Sequence, residues 1–332
     1  MIIHLPKDIS LSRAEAYARE VEALCIEKND CYVLITNHTI KQIPVVLSNI
    51  AIAHWNFITD MQLSSRQYTP NTQRIPIADT YIGGDGKNQL MISGPCAVES
   101  LEQIEQPCQM LQQQGIRVLR AGCYKPRTSP YTFRGLGEDG LKLLSEMREK
   151  YGLLIATEMR DATHADKVIE HTDIVQIGAK SMYDHGLLTA AGQSGKPVIL
   201  KRGFGSTLQE LVNCADFIMS CGNDQVILCE RGIRTFETNT RFTLDLCGVA
   251  WLKEHCNLPI IIDPSHAMGY EYGIGDLARA CTAMGVDGLL IETHPTPATA
   301  KSDAPQQLDH KQFTELYESL KPIAQAVGKT LV

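Results

Sequence analysis

Leu153-Leu-Ile-Ala-Thr-Glu158 is followed by an amphipathic stretch and then by Asp173-Ile-Val-Gln-Ile-Gly178. Two short apolar runs, each closing on a polar residue or glycine, flank a segment of helical character, which spells strand–helix–strand. Runs this continuously apolar suit parallel strands covered on both faces, because a strand with one wet face alternates instead. The unit repeats outward in both directions. Apolar runs at 89–96, 118–124, 197–201, 225–230, 259–263 and 288–292 join the first two, giving eight strand candidates at roughly 20- to 35-residue spacing. Between them, Ser100 and Gln103 read as a capping-box pair ahead of Ile104, Cys108 and Leu111. Phe313, Leu316, Leu320, Ile323 and Val327 form one apolar stripe near the end. Eight such units predict an α/β protein built on a (β/α)8 TIM barrel over residues 89–332. A doubly wound open sheet would carry a glycine-rich turn after its first strand, and Gly94-Pro-Cys96 is not one.

Residues 1–70 have another texture. A strand at 1–5, a helix capped by Ser12 and Glu15 with Ala14, Ala18, Val21 and Cys25 on its apolar face, and a strand at 31–36 come first. Pro44 then opens a second helix through Ile50, and 54–61 closes the unit as a strand. This β–α–β–α–β order predicts a small α+β domain, followed by a linker and hairpin at 71–88.

Composition narrows the function. Hydrophobic residues make up 44% of the chain and charged ones 21%, enough to build a sizeable core and too apolar for disorder. Thirty-one basic residues against 38 acidic ones leave a net charge of −7, which argues against a general nucleic-acid binder. No apolar run of about 18 residues and no signal-peptide core is present, so neither membrane nor export is expected. The 11 cysteines are odd in number and scattered, as in a reducing cytoplasm.

Reactive side chains of a (β/α)8 barrel collect at the C-terminal ends of its strands. Cys96 closes the first predicted strand, His266 follows the seventh, Glu292 ends the eighth, and Asp303 lies in the loop beyond. Taken singly, a cysteine is more often a buried small hydrophobe and a histidine a structural hydrogen-bonder. Together, at neighbouring strands of a closed barrel, they make a four-ligand site for a divalent cation of the Mn, Fe, Co or Zn class. His294 stands just behind Glu292. A second constellation is cationic: Arg120, Lys125 and Arg127 after strand two, Lys180 after strand four, Lys201 and Arg202 at strand five, Arg231 and Arg234 after strand six. So many like charges need an anion between them, a phosphorylated or carboxylated substrate. The structural alternative pairs them with Glu138, Glu158, Glu230 and Glu237.

These residues stand in stretches that resemble the class I 3-deoxy-D-arabino-heptulosonate 7-phosphate (DAHP) synthases, in the subclass related to the 3-deoxy-D-manno-octulosonate 8-phosphate synthases. The matching stretches run in order: GPCAVES (94–100), LRAGCYKPRTSPYTFRGLG (119–137), ATEM (156–159), QIGAK (176–180), KPVILKRGF (196–204), ILCERGIRTFE (227–237), DPSHAMG (263–269) and IETHPTP (291–297). The resemblance implies a metal-dependent condensation of phosphoenolpyruvate with erythrose 4-phosphate, the first step of aromatic amino acid biosynthesis. It implies metal ligands at Cys96, His266, Glu292 and Asp303, and phosphoenolpyruvate contacts at Arg120, Lys125, Lys201 and Arg231. Aldose-phosphate contacts are implied at Lys125, Pro126, Arg127, Thr128 and Ser129. Lys180 departs from the arginine that the family generally carries there. Catalytic roles are expected for Lys125 as general acid, Lys201 as an anion stabiliser and Glu158 as orienter of the attacking water.

Relatives using arabinose 5-phosphate carry an asparagine-containing segment where this chain has KPRTS, which favours the four-carbon aldose; the octulosonate synthase is the alternative. Cys96 favours metal dependence, since metal-independent relatives carry asparagine there. The first 70 residues lack the long helices of a chorismate mutase and are similar to the ferredoxin-like regulatory type, shortened by a strand. Tyrosine or phenylalanine is the implied effector, with a structural or oligomerisation appendage as the alternative. A cytoplasmic homotetramer is implied for the whole.

Overall fold

The computed structural model describes residues 1–125, 129 and 131–332. The chain opens with β1 (Ile2–Pro6), α1 (Leu11–Glu20), β2 (Leu24–Glu27), β3 (Cys31–Ile35), a single 3-10 turn at Val45–Leu47 and β4 (Ala53–Trp55). The four strands form one antiparallel sheet in the order β2-β3-β1-β4. Alternation along β1 separates its two faces. Ile3 and Leu5 pack with Tyr32, Leu34, Leu47 and the Ala14/Ala18 face of α1, while Ile2 joins Val33 and Ile26 against the large core.

Three expectations are corrected in this unit. The helix is capped by Ser10, whose hydroxyl accepts from the Arg13 amide, and not by Ser12. It stops at Glu20, and Glu22 then turns left-handed at φ 53°, so Cys25 lies in β2 and the strand thought missing is present. The second helix is the shortened element. Residues 45–47 make one 3-10 turn, enough to bury Leu47 and no more.

The hairpin that precedes the barrel is β5 (Arg74–Ile77) and β6 (Thr80–Gly83). Eight parallel strands follow: β7 (Asn88–Gly94), β8 (Val118–Arg120), β9 (Leu154–Met159), β10 (Ile174–Ile177), β11 (Val198–Lys201), β12 (Val226–Glu230), β13 (Ile260–Ile262) and β14 (Gly288–Glu292). Each pairs with the next, and β14 pairs with β7 from Gly288↔Leu90 to Glu292↔Gly94, which closes the barrel. Every strand run expected from the sequence overlaps one of these strands, with β7 starting one residue before its run and β9 ending one residue past its own. The barrel interior is filled by alternate residues such as Ile92, Val118, Ile174, Ile199, Ile227, Ile261 and Leu290, and Ile75, Ile77 and Ile82 of the hairpin join that cluster.

The helices of this part are α2 (Leu101–Gln114), α3 (Glu138–Tyr151), α4 (Ala165–His171), α5 (His185–Gln193), α6 (Leu208–Ser220), α7 (Leu246–His255), α8 (Pro264–Met268), α9 (Ile274–Ala283) and α10 (His310–Ala326). Ser100 caps α2 by accepting from the Gln103 amide, but the Gln103 side chain accepts from Glu99 N, so the box is half made. Reciprocal boxes stand instead at Thr207/Glu210 and Asp309/Gln312. On α10 the buried stripe is Phe313, Leu316, Tyr317, Leu320 and Ala324, with Val327 exposed past the helix end. A last short strand, β15 (Thr330–Leu331), adds to β7. No helix among the described residues is long and apolar enough to cross a membrane.

The segment that follows β4 is tied to α6. The Asp216 carboxylate, on α6, accepts from the backbone amides of Gln62, Leu63 and Ser64 at 2.8, 3.1 and 2.9 Å.

Candidate active site

Glu292 and Gly94 are register partners at the ends of β14 and β7, so Cys96, two residues on, comes beside the Glu292 carboxylate. Asp263 follows β13, and Pro264 at the first helical position starts α8, a five-residue helix. The Asp263 carboxylate accepts from His266 N at 2.9 Å, and its other oxygen lies 2.7 Å from His266 Nδ1. That cap points His266 Nε2 inward, 3.7 Å from Glu292 Oε1 and 4.0 Å from Asp303 Oδ2. Cys96 Sγ lies 3.2 Å from Asp303 Oδ2, and donor atoms of Cys96, Glu292 and Asp303 all fall within 4.8 Å of one another. Coordination bonds of about 2.0–2.3 Å put donors around one ion some 3–4 Å apart. These spacings, and a set of one sulfur, one imidazole and two carboxylates, fit a divalent cation.

Above this cluster lies a cavity of about 360 Å3 lined by Arg120, Lys125, Lys180, Lys201, Arg231, Arg234 and Arg241, with Glu158, His266, Asp303, Phe204 and Phe242 also on its walls. Its cations are held in place from behind. Arg120 donates to the Pro95 carbonyl at 2.8 Å and to Glu292 Oε1 at 2.7 Å. Lys201 donates to Asp263 Oδ2 at 2.6 Å. The Arg231 guanidinium stands 4.2 Å over the Phe242 ring, and that of Arg234 4.9 Å over Phe204. Arg231 Nη1 and Arg120 Nε are buried donors with no acceptor among the described residues, which is what a site awaiting an anion presents.

Two glycines make room. A Cβ on Gly122 would meet Lys125 Nζ at 2.3 Å, and one on Gly178 would meet Glu158 Oε1 at 2.1 Å.

The electrostatics follow from burial and neighbours. Burial would raise the Asp263 carboxyl, but His266 and Lys201 outweigh it and hold it well below the usual range. Burial acts on Asp303 in the same sense, and His266 and Arg241 nevertheless bring it down to about 2. Burial pushes the Cys96 thiol up to about 12, so a cation taking this ligand must displace its proton. Lys125 is raised: burial would lower it, and Cys96, Glu158 and Glu292 together prevail.

Arg202, His294 and Ser129 are not among the described residues lining the cavity. Arg202 is paired with Glu230 at 2.9 Å and Asp245 at 2.8 Å, so the structural alternative holds for it. His294 is buried beside Glu99, 3.7 Å away, and accepts from Thr296 N at 3.0 Å. Ser129 accepts from the Tyr131 amide at 3.3 Å. Pro126, Arg127 and Thr128 lie outside the described residues. Reasoning from sequence missed Arg241, which lies 3.5 Å from Asp303, and the pair Gln306 and Gln307. Gln307 Oε1 accepts from Cys96 N at 3.0 Å, and its amide nitrogen donates to the Ser302 carbonyl at 2.8 Å. Their one sequence signal was closeness to Asp303.

A closed parallel barrel with a cation-ready cluster beneath a cationic cavity, both at the C-terminal ends of the strands, defines a TIM-barrel enzyme acting on anionic substrates. The chain belongs to the DAHP synthetase I family, whose family model matches residues 61–328. It is similar to the phospho-2-dehydro-3-deoxyheptonate aldolase of Thermotoga maritima, 44% identical over 267 residues, 80% of this chain and 78% of that protein. It is also similar to the 2-dehydro-3-deoxyphosphooctonate aldolase of Methylobacillus flagellatus, 34% identical over 260 residues, 72% of this chain and 92% of that one. The crystal structure of the Thermotoga maritima DAHP synthase superposes with a TM-score of 0.81 at 36% identity, covering 100% of this chain and 99% of that one. A truncated form of the Thermotoga maritima enzyme gives 0.76 at 40% identity, covering 82% of this chain and 100% of its own.

Proposed function

We propose that this enzyme condenses phosphoenolpyruvate with erythrose 4-phosphate to DAHP and phosphate, with a divalent cation, at the head of aromatic amino acid biosynthesis. The observation that carries the reading is the union of a mixed Cys/His/Glu/Asp cluster with a cavity ringed by seven Lys and Arg side chains. Cys96, His266, Glu292 and Asp303 would hold the cation, which when bound supplies Lewis-acid polarisation of the aldehyde oxygen.

The chain's own residues do the rest. Arg120, Lys201 and Arg231 hold the carboxylate and phosphate of phosphoenolpyruvate, and their partners keep the cations from rearranging as charge moves. Lys180, Arg234 and Arg241, also on the cavity wall, suit the phosphate of the aldose. Carbon–carbon bond formation leaves an alkoxide on the former aldehyde carbon and positive character at carbon 2 of the former enol. Lys125 stays protonated and gives its proton to that alkoxide, a much stronger base than an amine. Glu158 orients the water that adds to carbon 2 and takes the proton it loses; the bond from carbon 2 to the phosphate oxygen then breaks as the ketone forms, and phosphate leaves toward Arg120, Lys201 and Arg231, carrying the proton of the former hydroxyl.

Residues 1–70 serve in this reading as a regulatory domain for tyrosine or phenylalanine, on a tetrameric barrel. Deleting them should abolish inhibition by those amino acids; unchanged inhibition would remove that role. Phosphate release with erythrose 4-phosphate and arabinose 5-phosphate, with and without a chelator, tests the main assignment. Turnover restricted to the four-carbon aldose and abolished by chelation supports it. Turnover on the five-carbon aldose alone would make the enzyme an octulosonate-phosphate synthase.

A further inference from the structure

Gln306 is not among the described residues lining the cavity, yet it joins the two halves of the site. It is 1% exposed and ends the 3-10 turn Ala304–Gln306 directly after Asp303, whose own backbone is left-handed at φ 52°. Its Nε2 donates to Glu292 Oε2, and its Oε1 accepts from Arg241 Nη1. A carboxylate only accepts and a guanidinium only donates, so the two partners dictate which end of the amide faces which. Glu292 has its other oxygen on Arg120, at 2.7 Å, and facing His266, at 3.7 Å. Arg241 lies 3.5 Å from Asp303 Oδ1 and on the cavity wall.

We propose that Gln306 is a positioning residue that ties the cation cluster to the anion-facing Arg241. Its amide turns the Glu292 carboxylate so that Oε1 looks toward His266, and with the same group it anchors the guanidinium. Either neighbour alone could be served by water or a hydroxyl. Spanning a pure acceptor and a pure donor takes a side chain with one end of each kind, and glutamine supplies both at the length required. Glutamate at this position would set two carboxylates against each other. Asparagine, one methylene shorter, can satisfy one end while stranding the other in a buried setting.

The inference rests on the proposed cation site, and the experiment separates the two. Full-length protein is stripped with a chelator and titrated with Co2+, following thiolate-to-cobalt absorption and binding heat, for wild type, Q306N, Q306E, R241Q and Q306N/R241Q. Wild type should show the thiolate band; its absence would sink the cation site itself. With the band present, Q306N and Q306E should bind Co2+ roughly 10- to 100-fold more weakly. The KM for the aldose phosphate should rise in the same variants, and the double variant should be little weaker than Q306N alone, because both changes cut one relay. Wild-type Co2+ affinity in Q306N and Q306E, or strictly additive effects with R241Q, would overturn the proposal while leaving the cation site intact. Should Q306N fail to fold, Q306E preserves the volume. R241Q, altered at a partly exposed side chain, reads the relay from its outer end, where an unchanged Co2+ affinity would equally overturn it.

Discussion

Replacing Asp263 with asparagine preserves the shape of the side chain and removes one negative charge from beneath several cations. The carboxylate is fully buried, 2.6 Å from Lys201 Nζ, and its charge also acts on Arg120 and Arg231. At that distance and an effective dielectric of about 20, the attraction to Lys201 alone is about 6 kcal/mol. Much of it offsets desolvation, and removing one partner of a buried pair costs about 3–5 kcal/mol net. At roughly 2 °C per kcal/mol for a chain of this size, D263N should melt about 6–10 °C below wild type. The assay is thermal unfolding followed by circular dichroism, with and without inorganic phosphate. An anion in the cavity restores part of the missing charge, so phosphate should raise the Tm of D263N more than that of wild type. A fall of less than about 2 °C, with equal response to phosphate, would refute the idea that Asp263 counterbalances these cations.

Three further outcomes are expected. In G178A the new Cβ would lie 2.1 Å from Glu158 Oε1, so the carboxylate must move; kcat should fall about 100-fold while Co2+ binding is unchanged. K180R adds a planar two-point clamp for phosphate, worth about 1 kcal/mol, and should lower the KM of a phosphorylated substrate roughly fivefold in steady-state assays. Burial pushes the Asp216 carboxyl up from 3.8 to about 6. The native state therefore keeps a proton that the unfolded chain has released between those values. This stabilisation is full below about pH 4 and is lost as pH rises through about 6, on the order of 3 kcal/mol in all. Melting curves of wild type between pH 4 and 7 should carry that decline, and those of D216N should lack it.

The barrel was legible because buried parallel strands are unbroken apolar runs, and Val175, Ile199 and Ile227 have no wet face to obscure the pattern. Residues 1–70 were less so. Ala14, Ala18, Val21 and Cys25 keep helical spacing past the true end of α1, and a reversal at Glu22 hands the last of them to an edge strand. The four candidate ligands could be named because each ends or follows a barrel strand. Arg241, Gln306 and Gln307 could not. They come from irregular segments, and their partners Asp303, Glu292 and Cys96 are brought to them by the tertiary fold rather than by any local period. Lys201 and Arg202, adjacent in sequence, show the same limit from the other side: one faces the cavity, and the other is consumed by Glu230 and Asp245.

The most direct test is the reconstitution of chelator-stripped protein, scoring bound cation and phosphate release from phosphoenolpyruvate and erythrose 4-phosphate in the same samples, for wild type and C96A. Turnover should rise in proportion to cation content up to one ion per chain in wild type, and stay at background in a folded C96A. Full turnover in metal-free protein, or an undiminished rate in C96A, would contradict a reaction centred on the Cys96, His266, Glu292 and Asp303 cluster.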